Sequence, residues 1–466
     1  MTNENTPIDP LEEQSIFIDV SWNTEDERLE NAVNSLLSDV LSITKTKRID
    51  GASGWRRHLR ATLIILIRTY QTDPNALIAC PMSNNFGKQS YRPDYDPQNP
   101  QRYDFKKIQA IVKIFADFEF LKLHIGKRDF FSGEYKGLCT RIEMTEALHV
   151  FIQRFSLEGI EFEKVLINGG MIVKYRNKRD TKKIKYDYSD LGEPKSIKQS
   201  KKILTAYNNL IKRSDIKLER QPSEQIVNLN NKISFRTFSN NSYDYGGRFY
   251  GGWWTNCKRE NRRYISINNQ STIESDYTAN HLCFYYSLNG EEIADALKKD
   301  PYSISKVYPR SLIKLIINRL FNCDGRRGIV NHFRERLRFT NGEDEENLYL
   351  MRHYLSTAIE VNRVLDVIFA SHPILRKQRN NQQGLILQNW DSKIAEQVLK
   401  LMTDLDIPCL CIHDSFIVSI EFEDELKEAM RTAYSFYPDA SLNIPEIKDK
   451  KSKLTINDKG IIDIEE

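Results

Sequence analysis

Toward its C-terminal end the chain reads CLCIHDSFIV, from Cys409 to Val418. Two apolar, partly β-branched runs close on a polar centre of His413, Asp414 and Ser415, and such runs predict a buried strand. A carboxylate there is costly unless a cation compensates it. A metal ion is one such cation, and it calls for a second carboxylate in an equivalent setting. The stretch STIESDYTANHLCFYYSLNG, 271–290, supplies one. Ile273, Ser275 and Tyr277 alternate with Glu274 and Asp276 as in a strand, and HLCFYYSLNG reads as a helix ended by Gly290. Asp276 therefore falls where a strand turns into a helix. Two aspartates on neighbouring antiparallel strands can hold two Mg²⁺ (or Mn²⁺) ions about 4 Å apart, as in-line phosphoryl transfer requires.

Between the two aspartates lies DPYSISKVYPRSLIKLIINRLFN, 300–322. Arg310 and Lys314, four apart, share one helical face, where they can meet phosphate oxygens. LILQNWDSKIAEQVLKLM, 385–402, reads as a helix, and RRYISI, 262–267, leads into the strand of Asp276.

These stretches resemble the palm and fingers of family A DNA polymerases and of the single-subunit phage-type RNA polymerases. Asp276-Tyr277-Thr278-Ala279-Asn280-His281-Leu282-Cys283 follows the register of the first palm motif, and His413-Asp414-Ser415-Phe416 is similar to the final motif of the RNA enzymes. The resemblance covers roughly 260–436. It implies an α+β fold: a right-hand palm built on an antiparallel sheet, with helical fingers. It also implies metal ligation by Asp276, Asp414 and the Tyr277 position, catalytic roles for the two aspartates and Lys314, and nucleotide contacts from Arg310, Lys314, His281, Asn318, Asn322 and Tyr277. Gln388 becomes a minor-groove reader, Arg262 and Arg263 nucleic-acid contacts, and His413 a neighbour of the primer end. The expected partners are a nucleic-acid template and primer and an NTP or dNTP.

Departures from the pattern bear on the sugar. The glutamate that excludes a ribose 2′-OH is replaced by His281, and the rings that follow the lysine by Asn318 and Asn322. The choice between dNTP and NTP stays open, with a lean toward ribonucleotides. Only 138 positions separate Asp276 from Asp414, so the fingers must be small. The same substitutions motivate a second reading, an inactive polymerase-like scaffold that binds nucleic acid as a regulator.

YDYGGRFYGGWWTN, 243–256, interleaves four glycines with aromatic residues and Arg248. Either the glycines let backbone approach a nucleic acid while Tyr250, Trp253 and Trp254 stack on bases and Arg248 meets a phosphate, or a tight turn packs these rings under the palm.

The rest of the chain sets the frame. Of 466 residues, 40% are hydrophobic and 28% charged, as in an ordinary globular protein. The net charge of +4 makes no case for nucleic acid, but ten of the first forty residues are acidic and only Arg28 among them is basic. Seven scattered cysteines without a CxxC pair fit a reducing cytoplasm and exclude a disulfide framework. ATLIILI, 61–67, is too short to span a bilayer, and the acidic N-terminus is no secretory signal, so a soluble cytoplasmic protein is expected. Composition leaves the oligomeric state open.

Residues 1–30 read as a loose acidic arm. Over 31–160 a mostly helical region is expected, with YDFKKIQAIVKIFADFEFLKL (103–123) as an amphipathic helix, short strands over 124–144 and a new helix capped by Thr145. Helix, hairpin and helix in this order resemble a winged-helix domain. Residues 79–101 read as a loop, 161–240 as a linking α/β region with short strands over 163–188 and a helix over 190–214, and 241–466 as the polymerase-like part.

Overall fold

The computed structural model describes residues 15–46, 48–82, 103–126, 139–164, 172–175, 194–219, 227, 229, 231–240, 242–338, 345–456 and 462–464. The expected loop over 79–101 lies mostly outside these residues, as do the bends at 127–138 and most of the strand-rich stretch 163–188. The fold is mixed α+β and rich in helix, with two hydrophobic cores. No helix among the described residues is long and apolar enough to cross a membrane.

The first core gathers residues from Ile18 to Ile160. The helices Glu27–Ile43 and Ile49–Thr72 are followed by a strand, Leu77–Ala79. Next come a helix, Phe105–Asp117, two antiparallel strands, Leu121–His124 and Arg141–Met144, and a last helix, Glu146–Arg154. The second of those strands also pairs antiparallel with Leu77–Ala79. Phe105, Ile108, Ile111, Val112 and Phe115 are buried on the predicted face, but the helix expected over 103–123 stops at Asp117, and Leu121–His124 within it is a strand. Thr145 does cap the next helix by position, but its hydroxyl donates to the Glu119 carbonyl (2.6 Å) rather than accepting from the helix.

The loose arm does not hold for residues 15–30. Ser15–Phe17 pairs parallel with Leu77–Ala79, and Ile18, Val20, Trp22 and Leu29 are buried. The alternation of apolar residues through Ile18, Val20 and Trp22 outweighs the acidic composition, because those side chains find a core to enter. Over 190–214 the expected helix forms as Lys195–Arg213.

The second core gathers buried residues from Ile197 to Ala440. At its centre is a four-stranded antiparallel sheet. The strand Thr272–Tyr277 lies between Ser415–Ser419 on one side and Ile447–Lys451 on the other, with Leu410–Ile412 outside Ser415–Ser419. Asp276 stands opposite Ser415 and opposite Lys448. The apolar run that opened the reading is a hairpin rather than one strand: Leu410–Ile412 and Ser415–Ser419 pair with Ile412 opposite Ser415, and His413 and Asp414 form the turn. His413 takes φ 62°, a left-handed conformation costly for a residue with a side chain and one that clusters at functional sites.

The helix Gln383–Asp404 packs against Glu423–Ser435, Asn280–Leu288, Lys195–Arg213 and the strand Gly246–Tyr250. That strand pairs with Phe235–Ser239 into a ribbon. The glycine–aromatic stretch ends in a close approach. Gly251 has φ 108°, and a Cβ there would lie 2.4 Å from the Ile233 carbonyl oxygen. Trp253 and Trp254 are 2% and 0% exposed, so neither ring can stack on a base, and the packing alternative holds for both. The Trp254 indole donates to the Cys411 carbonyl (3.2 Å) and thereby props the hairpin that carries Asp414.

Candidate active site

The strand Thr272–Tyr277 delivers Asp276 near its C-terminal end, and the hairpin turn carries Asp414. The Tyr277 amide donates to the Asp414 carbonyl (3.3 Å), which ties the two carriers together. The phenol of Tyr277 points into the core and donates to the Met430 carbonyl (2.5 Å). Tyr277 is 3% exposed, so its ring is not available to a nucleotide, which corrects the nucleotide-binding expectation; its main chain remains next to Asp276.

Both aspartates are pushed up to about 6. For Asp276 the causes are crowding by protein atoms and then the charge of Asp414. For Asp414 they are burial and then the charge of Asp391. The Asp276 side chain nevertheless keeps 37% of its surface, so an ion or substrate can reach it. The Lys450 ammonium lies 3.6 Å from Asp276 Oδ2 and 3.4 Å from Glu274 Oε1. Lys314 is exposed on the helix Arg310–Leu320, and its charge bears on both Asp276 and Asp414. Arg310, on the same helix, pairs with Asp300 (2.7 Å) and lies over the Tyr302 ring.

A third carboxylate, Asp391, escaped the sequence reading. It comes from the helix Gln383–Asp404, is 1% exposed, and accepts from Arg248 Nε (2.7 Å) and Asn280 Nδ2 (3.2 Å). Burial pushes its carboxyl up while Arg248 pulls it down. The signal was its place on the apolar stripe: Leu387, Asp391, Ile394 and Val398 recur at the spacing of one buried face. Arg248 also donates to His281 Nε2 (3.0 Å), so its guanidinium is committed inside the protein and does not wait for a phosphate. His281 is thereby fixed as a neutral acceptor. Burial and Arg248 together push it down to about 3.

The remaining expected residues are dispersed around this centre. Tyr250 is 36% exposed and meets the His413 ring edge-on at 5.5 Å. His413 is pushed down to about 4 by burial, and its Nδ1 is buried without a hydrogen-bond partner among the described residues. Gln388 is half-buried on the helix of Asp391. The Asn322 side-chain amide donates to the Asn318 carbonyl (3.1 Å) at the helix end, and Asn322 rests on Gly384, where any Cβ would come within 2.4 Å of its oxygen. Arg262 holds Glu274 with two bonds (2.8 and 3.1 Å), and Arg263 donates to the Glu260 carbonyl (2.7 Å).

Among the described residues no group of three or more His, Cys, Asp and Glu side chains could hold a metal ion. Asp276 and Asp414 offer a smaller set of hard oxygen donors, two carboxylates that repel one another. That set fits Mg²⁺ or Mn²⁺, which are commonly bound by one or two carboxylates together with substrate phosphates.

No protein-family model matches the chain, and no curated protein does. Among solved structures, the POL domain of Pol1 from M. smegmatis, in complex with DNA primer-template and dNTP, is similar at 14% identity with a TM-score of 0.26. The likeness covers 90% of this chain and 72% of that one. So slight a likeness carries no weight for fold or chemistry, and the functional reading rests on the residues.

Proposed function

We propose that the protein is a template-dependent nucleotidyltransferase that adds nucleotides to a 3′-OH. One observation carries this reading: two partly exposed aspartates, on a strand end and an adjacent hairpin turn, are both pushed up to about 6, Asp276 partly by the charge of Asp414, and the charge of Lys314 bears on both. A structural pair would be closed by a bound arginine, as Asp391 is by Arg248.

Asp276 and Asp414 would hold the divalent ions, with the Tyr277 main chain beside them. Bound there, such ions supply Lewis-acid stabilisation to the attacking and leaving oxygens. In the reaction the 3′-oxygen loses its proton to solvent water and bonds to the α-phosphorus of an NTP or dNTP, and the bond from that phosphorus to the bridging oxygen breaks, releasing pyrophosphate. Lys314 donates to the departing pyrophosphate, where charge develops, and Arg310 supports the triphosphate from the same helix face. His281, held neutral because its Nε2 accepts from Arg248, sits where a sugar edge would lie in the family pattern. The helix, strand, helix and hairpin order of the N-terminal core supports a winged-helix unit that places the template.

Incorporation of labelled nucleotides tests the reading, with Mg²⁺ or Mn²⁺, DNA and RNA templates, and primers present or absent. Product with the wild type and none with Asp276→Asn or Asp414→Asn is expected. Nucleic-acid binding without product in every combination would sink the enzyme and leave the regulator.

A further inference from the structure

Behind Asp276 the same sheet carries a second feature. A pocket of about 360 Å³ opens beside the strands Thr272–Tyr277 and Ile447–Lys451, with Thr272, Glu274 and Ile417 on the sheet. Six cationic side chains line it, Arg259, Arg262, Arg263, Lys450, Lys451 and Lys453, against the carboxylates of Glu260 and Glu274. Glu274 is already neutralised: Arg262 grips it with two bonds, Ser415 donates to it (2.7 Å), and Lys450 lies 3.4 Å away. With Glu260 the only other carboxylate among the lining residues, the cations outnumber the carboxylates six to two and the pocket keeps an excess of positive charge.

We infer that this pocket holds backbone phosphates of the nucleic-acid strand whose 3′ end is extended at Asp276 and Asp414, an inference that rests on the proposed function. Three features point to a backbone rather than a free nucleotide. No aromatic ring lines the pocket, so it offers charge but no platform for a base. Glu274, Ile417 and Lys450 stand opposite one another across three strands, and Ser415, Asp276 and Lys448 form the next row but one, so the pocket and Asp276 share one sheet face. Thr272 is four residues from Asp276, about 13 Å at 3.3 Å per strand residue. A nucleic-acid strand rises about 3.4 Å per nucleotide, so the pocket, which begins at Lys450 beside Asp276, reaches phosphates up to about four nucleotides behind the growing end. Lys314 bears instead on Asp276 and Asp414 themselves, where an incoming triphosphate belongs.

The double variant Lys451→Gln with Lys453→Gln tests this by fluorescence anisotropy across a salt series. The probes are a labelled primer–template duplex and a labelled NTP, and unfolding temperatures serve as the folding check. The duplex should bind more weakly, with the slope of log affinity against log salt shallower by about 1.8 for two lost phosphate contacts, while NTP affinity stays unchanged. Unchanged duplex affinity and slope would overturn the inference. So would loss of NTP binding with the duplex unaffected, which would make the pocket a triphosphate site. A second measurement uses the wild type alone: affinity should drop when the primer is cut below about four nucleotides, and no such step would equally overturn it. Incorporation by the wild type is scored separately, so the pocket can fail while the proposed activity stands.

Discussion

Lys450 places its ammonium 3.6 Å from a carboxylate oxygen of Asp276. The lysine comes from the edge strand Ile447–Lys451 and also leans on Glu274, so it is shared between the two carboxylates of one strand face. A divalent ion drawn to Asp276 has to compete with it. Lys450→Met should therefore raise the apparent Mg²⁺ affinity, read as a larger rise in unfolding temperature at a given Mg²⁺ concentration. Both partners are about a third exposed, so solvent screens the pair and the effect stays within about 1 kcal/mol, up to roughly fivefold in affinity. A Mg²⁺ response identical to the wild type would show that the ion does not sit on Asp276.

The pH dependence follows from the same charges. Asp276 and Asp414 titrate near 6 when folded, above the ordinary aspartate value near 4. Between about pH 4 and 6 the folded protein binds more protons through them, so their contribution to stability falls as pH rises through that window. His413 and His281 act in the opposite sense. Pushed down to about 4 and about 3, they cost stability as pH falls below 6.5. The wild-type profile therefore mixes both, and the informative quantity is a difference. In metal-free buffer Asp414→Asn should unfold above the wild type at pH 7.5, by on the order of 2 °C, and the gap should close by pH 4.5. A gap independent of pH would remove the charge repulsion from the account.

The parts of the site carried by local pattern were legible in the sequence. The alternation through Ile273, Ser275 and Tyr277 became the strand Thr272–Tyr277, and Gly290 ends the helix that follows with φ 68°. Arg310 opens the helix that carries Lys314. What stayed hidden depends on partners far along the chain. Asp391 pairs with Arg248 across 143 positions, and nothing near either residue announces it. Trp253 and Arg248 looked like ligand contacts because aromatic and basic residues among glycines suit both a binding loop and a packed turn. Lys450 was invisible for the opposite reason: IKDKK has no apolar alternation, since an edge strand facing solvent needs none.

Arg248 and Asp391 form a buried pair, 17% and 1% exposed, directly behind the catalytic candidates. Removing one partner strands the other charge away from water. Arg248→Met should cost about 3–5 kcal/mol in chemical denaturation. The double variant Arg248→Met with Asp391→Leu should recover much of that loss, because the desolvation cost of both ions disappears with them. Additive losses in the cycle would mean that the two side chains do not depend on each other. Nucleotide incorporation should remain impaired in the double variant even where stability returns, since His281 loses the donor that fixes it as a neutral acceptor.

Lys314 separates the catalytic reading from a merely electrostatic one. It is exposed, its charge bears on Asp276 and Asp414, and no fold contact depends on its ammonium among the described residues. Its loss should therefore leave the unfolding temperature nearly unchanged. Its catalytic effect should be large, because a donor aimed at charge that develops on the leaving pyrophosphate acts mainly in the transition state, and removing such a donor typically costs about 10²–10³ in rate. Lys314→Ala should lower kcat of single-nucleotide incorporation by that order, with a smaller change in KM. Lys314→Arg keeps the charge but changes the shape of the donor, so it should recover only part of the rate. An equal rise in KM with kcat intact would instead make Lys314 a binder of the triphosphate in the ground state. No change in either constant would remove the helix Arg310–Leu320 from the active site.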